Sequence, residues 1–199
     1  MPSVSYLEPL PAIVKILLLS WIYFLLSCFS PQDNWIIHST GVGPIELGIS
    51  FEDAKGLIGN LYQISPNEKG GFDLYEDSKK IISIWSKDQD STIGFIKIYS
   101  EKFNCHDGIR VGSTIEEVEK TRMDFFLEMD DISGEAFFAP SEFQKKDGER
   151  IESLNLFYFK SPDENTLAEF EYNPEKQAYI ASSYNPKGTL NYFLIYKWK

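Results

Sequence analysis

The side chains best suited to covalent or metal chemistry in this chain of 199 residues are its two cysteines, Cys28 and Cys105, with their neighbours. Cys105-His106-Asp107 is the densest run of reactive types. A zinc site needs further Cys or His at short spacing, and the other histidine, His38, lies far upstream. A Cys–His nucleophile needs both side chains on one side, whereas neighbours on an extended chain point to opposite sides. The run is therefore read as a turn ahead of Ile109. Cys28 has another setting: it follows Lys15, an apolar run from Ile16 to Leu26, and the small Ser27. A basic residue, an apolar core of about 7–15 residues and a small residue make a secretory signal. A cysteine stands directly behind it.

Other chemistry is sparse. Glu52-Asp53 and Glu116-Glu117 have a helix-capping explanation, and Asp130-Asp131 reads as a helix end. Asp88-Gln89-Asp90 lacks the glycine and distal Glu of a calcium loop. Gly41-Val42-Gly43 precedes Pro44 rather than a helix, so it is not a phosphate-binding loop. No catalytic residue, metal ligand or cofactor is expected.

Leu25-Leu26-Ser27-Cys28 resembles the lipobox of bacterial lipoproteins. The resemblance implies cleavage before Cys28 and a diacylglycerol thioether on its sulfur. Residues 1–27 would then be a signal peptide and residues 28–40 a tether. The body would face the periplasm or the cell exterior, attached to a membrane through Cys28. Two other readings stand beside it. Leu10–Phe29 is long enough to span a bilayer uncleaved, oriented by Lys15. Alternatively, Cys28 is incidental after an ordinary secretory signal. All three put the body outside the cytoplasm. The segment before Val14 carries Glu8 and no basic residue, which suits translation starting at Val14.

The net charge of −11 argues against nucleic acid as a partner, since phosphate backbones are bound by clustered Lys and Arg. No basic run exceeds two residues, as in Lys79-Lys80 and Lys145-Lys146. Docking on anionic lipid headgroups is disfavoured for the same reason. Aromatics make up 15% of the chain, which favours strands. With Cys28 lipidated, Cys105 has no intrachain partner and reads as a buried thiol or the site of an intermolecular disulfide.

An internal repeat organises the body. Residues 44–54 (Pro-Ile-Glu-Leu-Gly-Ile-Ser-Phe-Glu-Asp-Ala) align with 108–118 (Gly-Ile-Arg-Val-Gly-Ser-Thr-Ile-Glu-Glu-Val) at an offset of 64. Each copy predicts a short extended segment, a bend at Gly48 or Gly112, and an N-cap at Ser50 or Thr114. A helix follows each cap: Phe51 to Ile58 in the first copy, and a longer stripe in the second. That second stripe runs through Ile115, Val118, Arg122, Phe125, Phe126 and Met129. Strands are expected after the first helix over 72–75, 80–86 and 92–99. After the second they are expected over 136–138, 151–159, 167–172, 178–183 and 190–198. The predicted class is α+β, with two related halves, 41–104 and 105–199, each a short helix followed by an antiparallel β-meander.

The entry motif from Ile109 to Val118, followed by a meander, resembles that of small outer-membrane-assembly lipoproteins and β-lactamase inhibitory proteins. The resemblance implies a non-enzymatic module that grips another protein with sheet faces and loops. Tyr184, Tyr192 and Trp198 are candidate anchors, Tyr and Trp being common at interface hot spots. The alternative is a small-ligand carrier or enzyme with a pocket between the halves.

Overall fold

Ile82 and Ile84, and opposite them Ile96 and Ile98, occupy alternate positions and are fully buried. Alternation with period two is what a strand needs to bury one face of a sheet. A computed structural model shows how far this pattern extends. It describes residues 35–87, 90–122, 124–140, 145–147, 150–162 and 166–197, with the backbone alone for 145–147 and 150–152.

The described elements run β1 (Ile37–His38), β2 (Gly41–Val42), β3 (Ile45–Glu46), α1 (Phe51–Ile58), β4 (Gln63–Pro66), β5 (Phe72–Glu76), β6 (Lys79–Trp85) and β7 (Phe95–Ile98). Then come α2 (Ile115–Thr121), β8 (Glu128–Met129), β9 (Ala136–Phe138), β10 (Lys145–Asp147), β11 (Arg150–Lys160), β12 (Ala168–Asn173), β13 (Ala178–Tyr184) and β14 (Thr189–Lys197). The fold is α+β: mostly antiparallel sheet, with two short helices among the described residues. The large sheet has the order β12-β13-β8-β9-β11-β14-β7-β6-β5-β4, with β10 paired to β11, and β1–β3 form a small second sheet. Residues 41–104 and 105–199 belong to one compact unit, and β14 joins them by pairing with β7 on one side and β11 on the other.

The strands after α1 form a meander, preceded by β4, which the sequence reading missed. Those after α2 do not form a simple one. The β12–β13 hairpin leaves the chain order and pairs at the far edge with β8, and β14 then returns beside β11.

Both helices, the small sheet and one face of the large sheet share a single core. Ala54 and Ile58 from α1, Ile115 and Val118 from α2, and Ile37, Val42 and Ile45 from β1–β3 meet Leu74, Phe157, Phe193 and Ile195 there. Trp35 is also buried, stacked on Phe103 and edge-on to Tyr62. The last six residues of the expected tether, 35–40, thus lie within the fold. Ser153 and Asn155 on β11 donate hydrogen bonds to the carbonyls of Ser39 and His38, fixing the β1–β2 turn to the sheet.

Each helix entry is anchored in the same way. Gly48 and Gly112 adopt φ of +87° and +90°, a region L side chains rarely occupy. The Gly48 amide donates to Ile93 and the Gly112 amide to Leu190, just before β7 and near the start of β14. Ser50 caps α1, and Thr114 with Glu117 forms a reciprocal capping box on α2.

Helix α2 is shorter than the predicted stripe. It stops at Arg122, whose backbone is extended at φ −118° and ψ 111°. The Arg122 guanidinium does not lie along the surface: it is buried, ion-paired with Asp107 at 2.7 Å and placed over the Phe157 ring. That pull ends the helix. Phe125 still packs against Phe138, Phe159 and Tyr184, but from an irregular segment, and Met129 belongs to β8.

Thr114→Ala should destabilise the fold by about 1 kcal/mol through loss of the cap. Gly112→Ala should cost at least as much through strain at positive φ. Urea unfolding midpoints would measure both.

Candidate functional site

An antiparallel sheet with one face in water alternates apolar and polar residues. Strands β7, β11 and β14 do not. Their inward positions are apolar apart from Ser153 and Asn155, and most outward ones are apolar too: Phe95 and Tyr99, Leu154, Leu156 and Tyr158, then Tyr192, Leu194 and Tyr196. Cross-strand register lines these side chains into rows. One row runs Trp85, Phe95, Tyr196, Leu154. Its rings stack with centroids 5.1 Å apart for Trp85–Phe95 and 5.8 Å for Phe95–Tyr196. The other runs Tyr99, Tyr192, Tyr158, Phe137, with Tyr158 and Tyr192 stacked at 4.6 Å. Between them lies Asp73, Ser83, Lys97, Leu194, Leu156, a row that changes from charged to apolar across the sheet.

The helices and the small sheet contribute to the core on the opposite face. The outward cluster is built from strand residues and their immediate neighbours alone. Its rings shield one another, so most are half-buried without a covering layer among the described residues. At one end the β8–β9 turn is tied to the face by two hydroxyls. Tyr158 donates to Asp130 at 2.8 Å and Tyr192 to Glu135 at 2.6 Å. Asp130 also accepts the amides of Ile132 and Ser133, which sets Ile132 at the turn's tip, 99% exposed. Lys97 stands mid-face with Nζ 3.5 Å from the Tyr192 ring centroid. Burial pushes its ammonium below the usual lysine range, opposed by Glu135 and reinforced by Lys69 and Lys80.

At the other end, Asp73 is buried in a polar network. It accepts hydrogen bonds from Ser83 at 2.7 Å and Asn67 at 3.1 Å, and pairs with Lys80. Burial raises its carboxyl, but bonds from Lys80, Ser83 and Asn67 and the Lys80 charge together hold it below the usual range. Lys80 is held above its own range by the same bond. Ser83, Lys80 and Asp73 bring together residue types seen in hydrolases. Here the carboxylate is stabilised as an anion and the amine as a cation, so neither is set to accept a proton from Ser83 near neutrality.

Cys28 and the rest of residues 25–28 lie outside the described residues, as do Trp198, Asp88 and Gln89. Cys105 is a fully buried thiol, and no disulfide forms among the described residues. Cys105–Gly108 is a turn closed by the Gly108 amide donating to Cys105. His106 is exposed on it, while Asp107 accepts the Ile109 amide and holds Arg122. Tyr192 is not an exposed anchor: it is 6% exposed, packed between Tyr99 and Tyr158. Tyr184 is half-buried and donates to Glu119, with its hydroxyl pushed up to about 12 by burial and that bond. The acidic pairs act locally: Glu116 with Lys120, Glu52 with Lys55, Asp53 and Glu117 in caps. The aromatic rows were missed, although the failure of β11 and β14 to alternate was a readable signal. Among the described residues no His, Cys, Asp and Glu are grouped to hold a metal, and no helix is long and apolar enough to cross a membrane.

No family model matches this chain, and no curated protein matches it. Among solved structures, the crystal structure of the uncharacterized protein yfeY from Escherichia coli is similar at 12% identity and a TM-score of 0.49, covering 81% of this chain and 99% of that one.

The face also sets the pH range of stability. Asp73 and Asp130 titrate below the ordinary 3.8, so their contribution is complete above that pH and lost as pH falls below it. Tyr158, Tyr192 and Tyr196 are raised above the ordinary 10.0, first by burial, so their contribution is complete below that pH and lost as pH rises past it. A Tyr158→Phe, Tyr192→Phe variant should lose part of the alkaline decline and keep the Asp73 part of the acid one. Denaturant midpoints across both limits would show this.

Proposed function

We propose that this chain is a lipid-anchored module of the bacterial envelope that binds another protein, without catalysis, through the outward face of its sheet. Cys28 carries the lipid, and the body faces the periplasm or the exterior. The observation that supports binding most is the aromatic face, with two rows of rings and no described layer over it. Contiguous apolar side chains on an uncovered sheet face, here half-buried by one another, are the kind of surface on which interaction sites are built. Tyr and Trp supply much contact area at low entropy cost. The anchor rests on the residues before Cys28: basic, apolar, small, then cysteine.

The body is read as two related halves. Their shared entry supports this: a glycine at positive φ, a Ser or Thr cap, and a hydrogen bond onto the segment leading into β7 or β14. The two strands so approached are the ones that pair across the junction.

The rival reading, a carrier or enzyme with a pocket between the halves, wants a deep apolar cavity with convergent polar groups. Residues of the junction line an open depression of mixed character instead, with Glu101, Lys102 and Arg110 beside Ile81, Tyr99 and Val111 on its walls.

Photo-crosslinking from position 194 or 196 in the native envelope should yield one reproducible protein adduct, absent from a control site such as position 55 on α1. Tyr196→Ala should reduce its yield about tenfold. Recovery of a small molecule instead, or equal yield from both positions, would sink the binding reading. Separately, Cys28→Ala should abolish metabolic labelling with a fatty acid; persistent labelling would refute the anchor.

A further inference from the structure

We propose that a cavity of about 420 Å³ at the β4–β6 end of the outward face is a binding site for a small oxygen-rich anion, carrying a carboxylate or a phosphate. This goes beyond the protein-binding reading and does not depend on it. Asp73, Ser83, Lys80, Trp85, Tyr99 and Lys69 line the cavity. Its volume lies within the range of small-molecule sites, about 300–1,000 Å³.

The hydrogen-bonding inventory selects the ligand. The acceptors deepest in the cavity are already used. Asp73 accepts from Ser83, Asn67 and Lys80, and Asn67 Oδ1 accepts the amides of Lys69 and Gly71. Ser83 spends its proton on Asp73. Donors remain. Among the described residues, neither the Lys69 ammonium nor the Tyr99 hydroxyl has an acceptor, and Lys80 uses one bond of three. Away from the exposed rim, a ligand that accepts hydrogen bonds therefore finds more partners here than one that donates them.

Charge points the same way. Of the lysines on this face, Lys69 and Lys80 line the cavity, in a chain whose net charge is −11. Asp73 and Lys80 offset each other within the network, which leaves the Lys69 ammonium to meet an anion. Glu68 at the rim is exposed and opposes an anion. Lys69 already lies over the Trp85 ring at 4.0 Å, held near the cavity without an ion pair among the described residues.

The test is titration calorimetry of the full chain in detergent at constant ionic strength, with inorganic phosphate in one arm, citrate in a second and chloride as the control. At least one of the first two should bind saturably; the arm that does so tells phosphate from carboxylate. Lys69→Gln combined with Tyr99→Phe should weaken binding about tenfold, as for loss of a charge-assisted bond and a neutral one. Glu68→Gln should tighten it. Lys69→Gln alone, at an exposed position, serves if the double variant unfolds by circular dichroism. The proposal is overturned if neither anion saturates below about 10 mM, if chloride competes equally, or if these variants leave the affinity unchanged.

Discussion

Strand β14 holds this structure together by lying between β7 and β11. It pairs Phe193, Leu194, Ile195 and Tyr196 with Ile98, Lys97, Ile96 and Phe95, and its other edge runs against β11 from Ser153 to Lys160. Every other feature depends on that double pairing. Inward, it brings Phe193 and Ile195 to the core shared by both helices. Outward, it supplies one ring to each aromatic row, Tyr196 to the first and Tyr192 to the second. The core and the candidate binding face are thus two sides of one strand, and side-chain alternation assigns each residue to one or the other.

Local chemistry was legible in the sequence. Ser50, Thr114, Glu117, Gly48 and Gly112 act where their types and spacing predict, because caps and positive-φ bends are decided within a few residues. The extent of α2 was not legible. Phe125, Phe126 and Met129 continue a helical spacing, but the Asp107–Arg122 pair is a tertiary contact, and it overrides the periodicity. Strand β4 escaped notice because Gln63-Ile64-Ser65-Pro66 is short, mostly polar and ends in proline, as edge strands often do. Strand order was equally out of reach: nothing in 168–184 reveals that this hairpin pairs with β8.

The candidate face was half legible. Its strands were located, but an alternating reading leaves their outward residues to solvent. Tyr192 shows the difference: read as an exposed anchor, it is packed between two other tyrosines and fixes the β8–β9 turn through Glu135. Such a face combines two properties that usually conflict. It is apolar enough to gain from burial, and its rings are already ordered by stacking, so binding would cost little side-chain entropy.

The two ends of the large sheet bear on a different problem, colloidal behaviour. A terminal strand offers a row of backbone groups to any other chain with a matching row, and uncontrolled polymerisation starts there. At one end Pro66 removes a donor from β4. At the other, Glu169 and Glu171 project as exposed charges from β12. Like charges would face each other if two such edges met. The flanks of the sheet that carries the aromatic face therefore resist joining a copy of themselves.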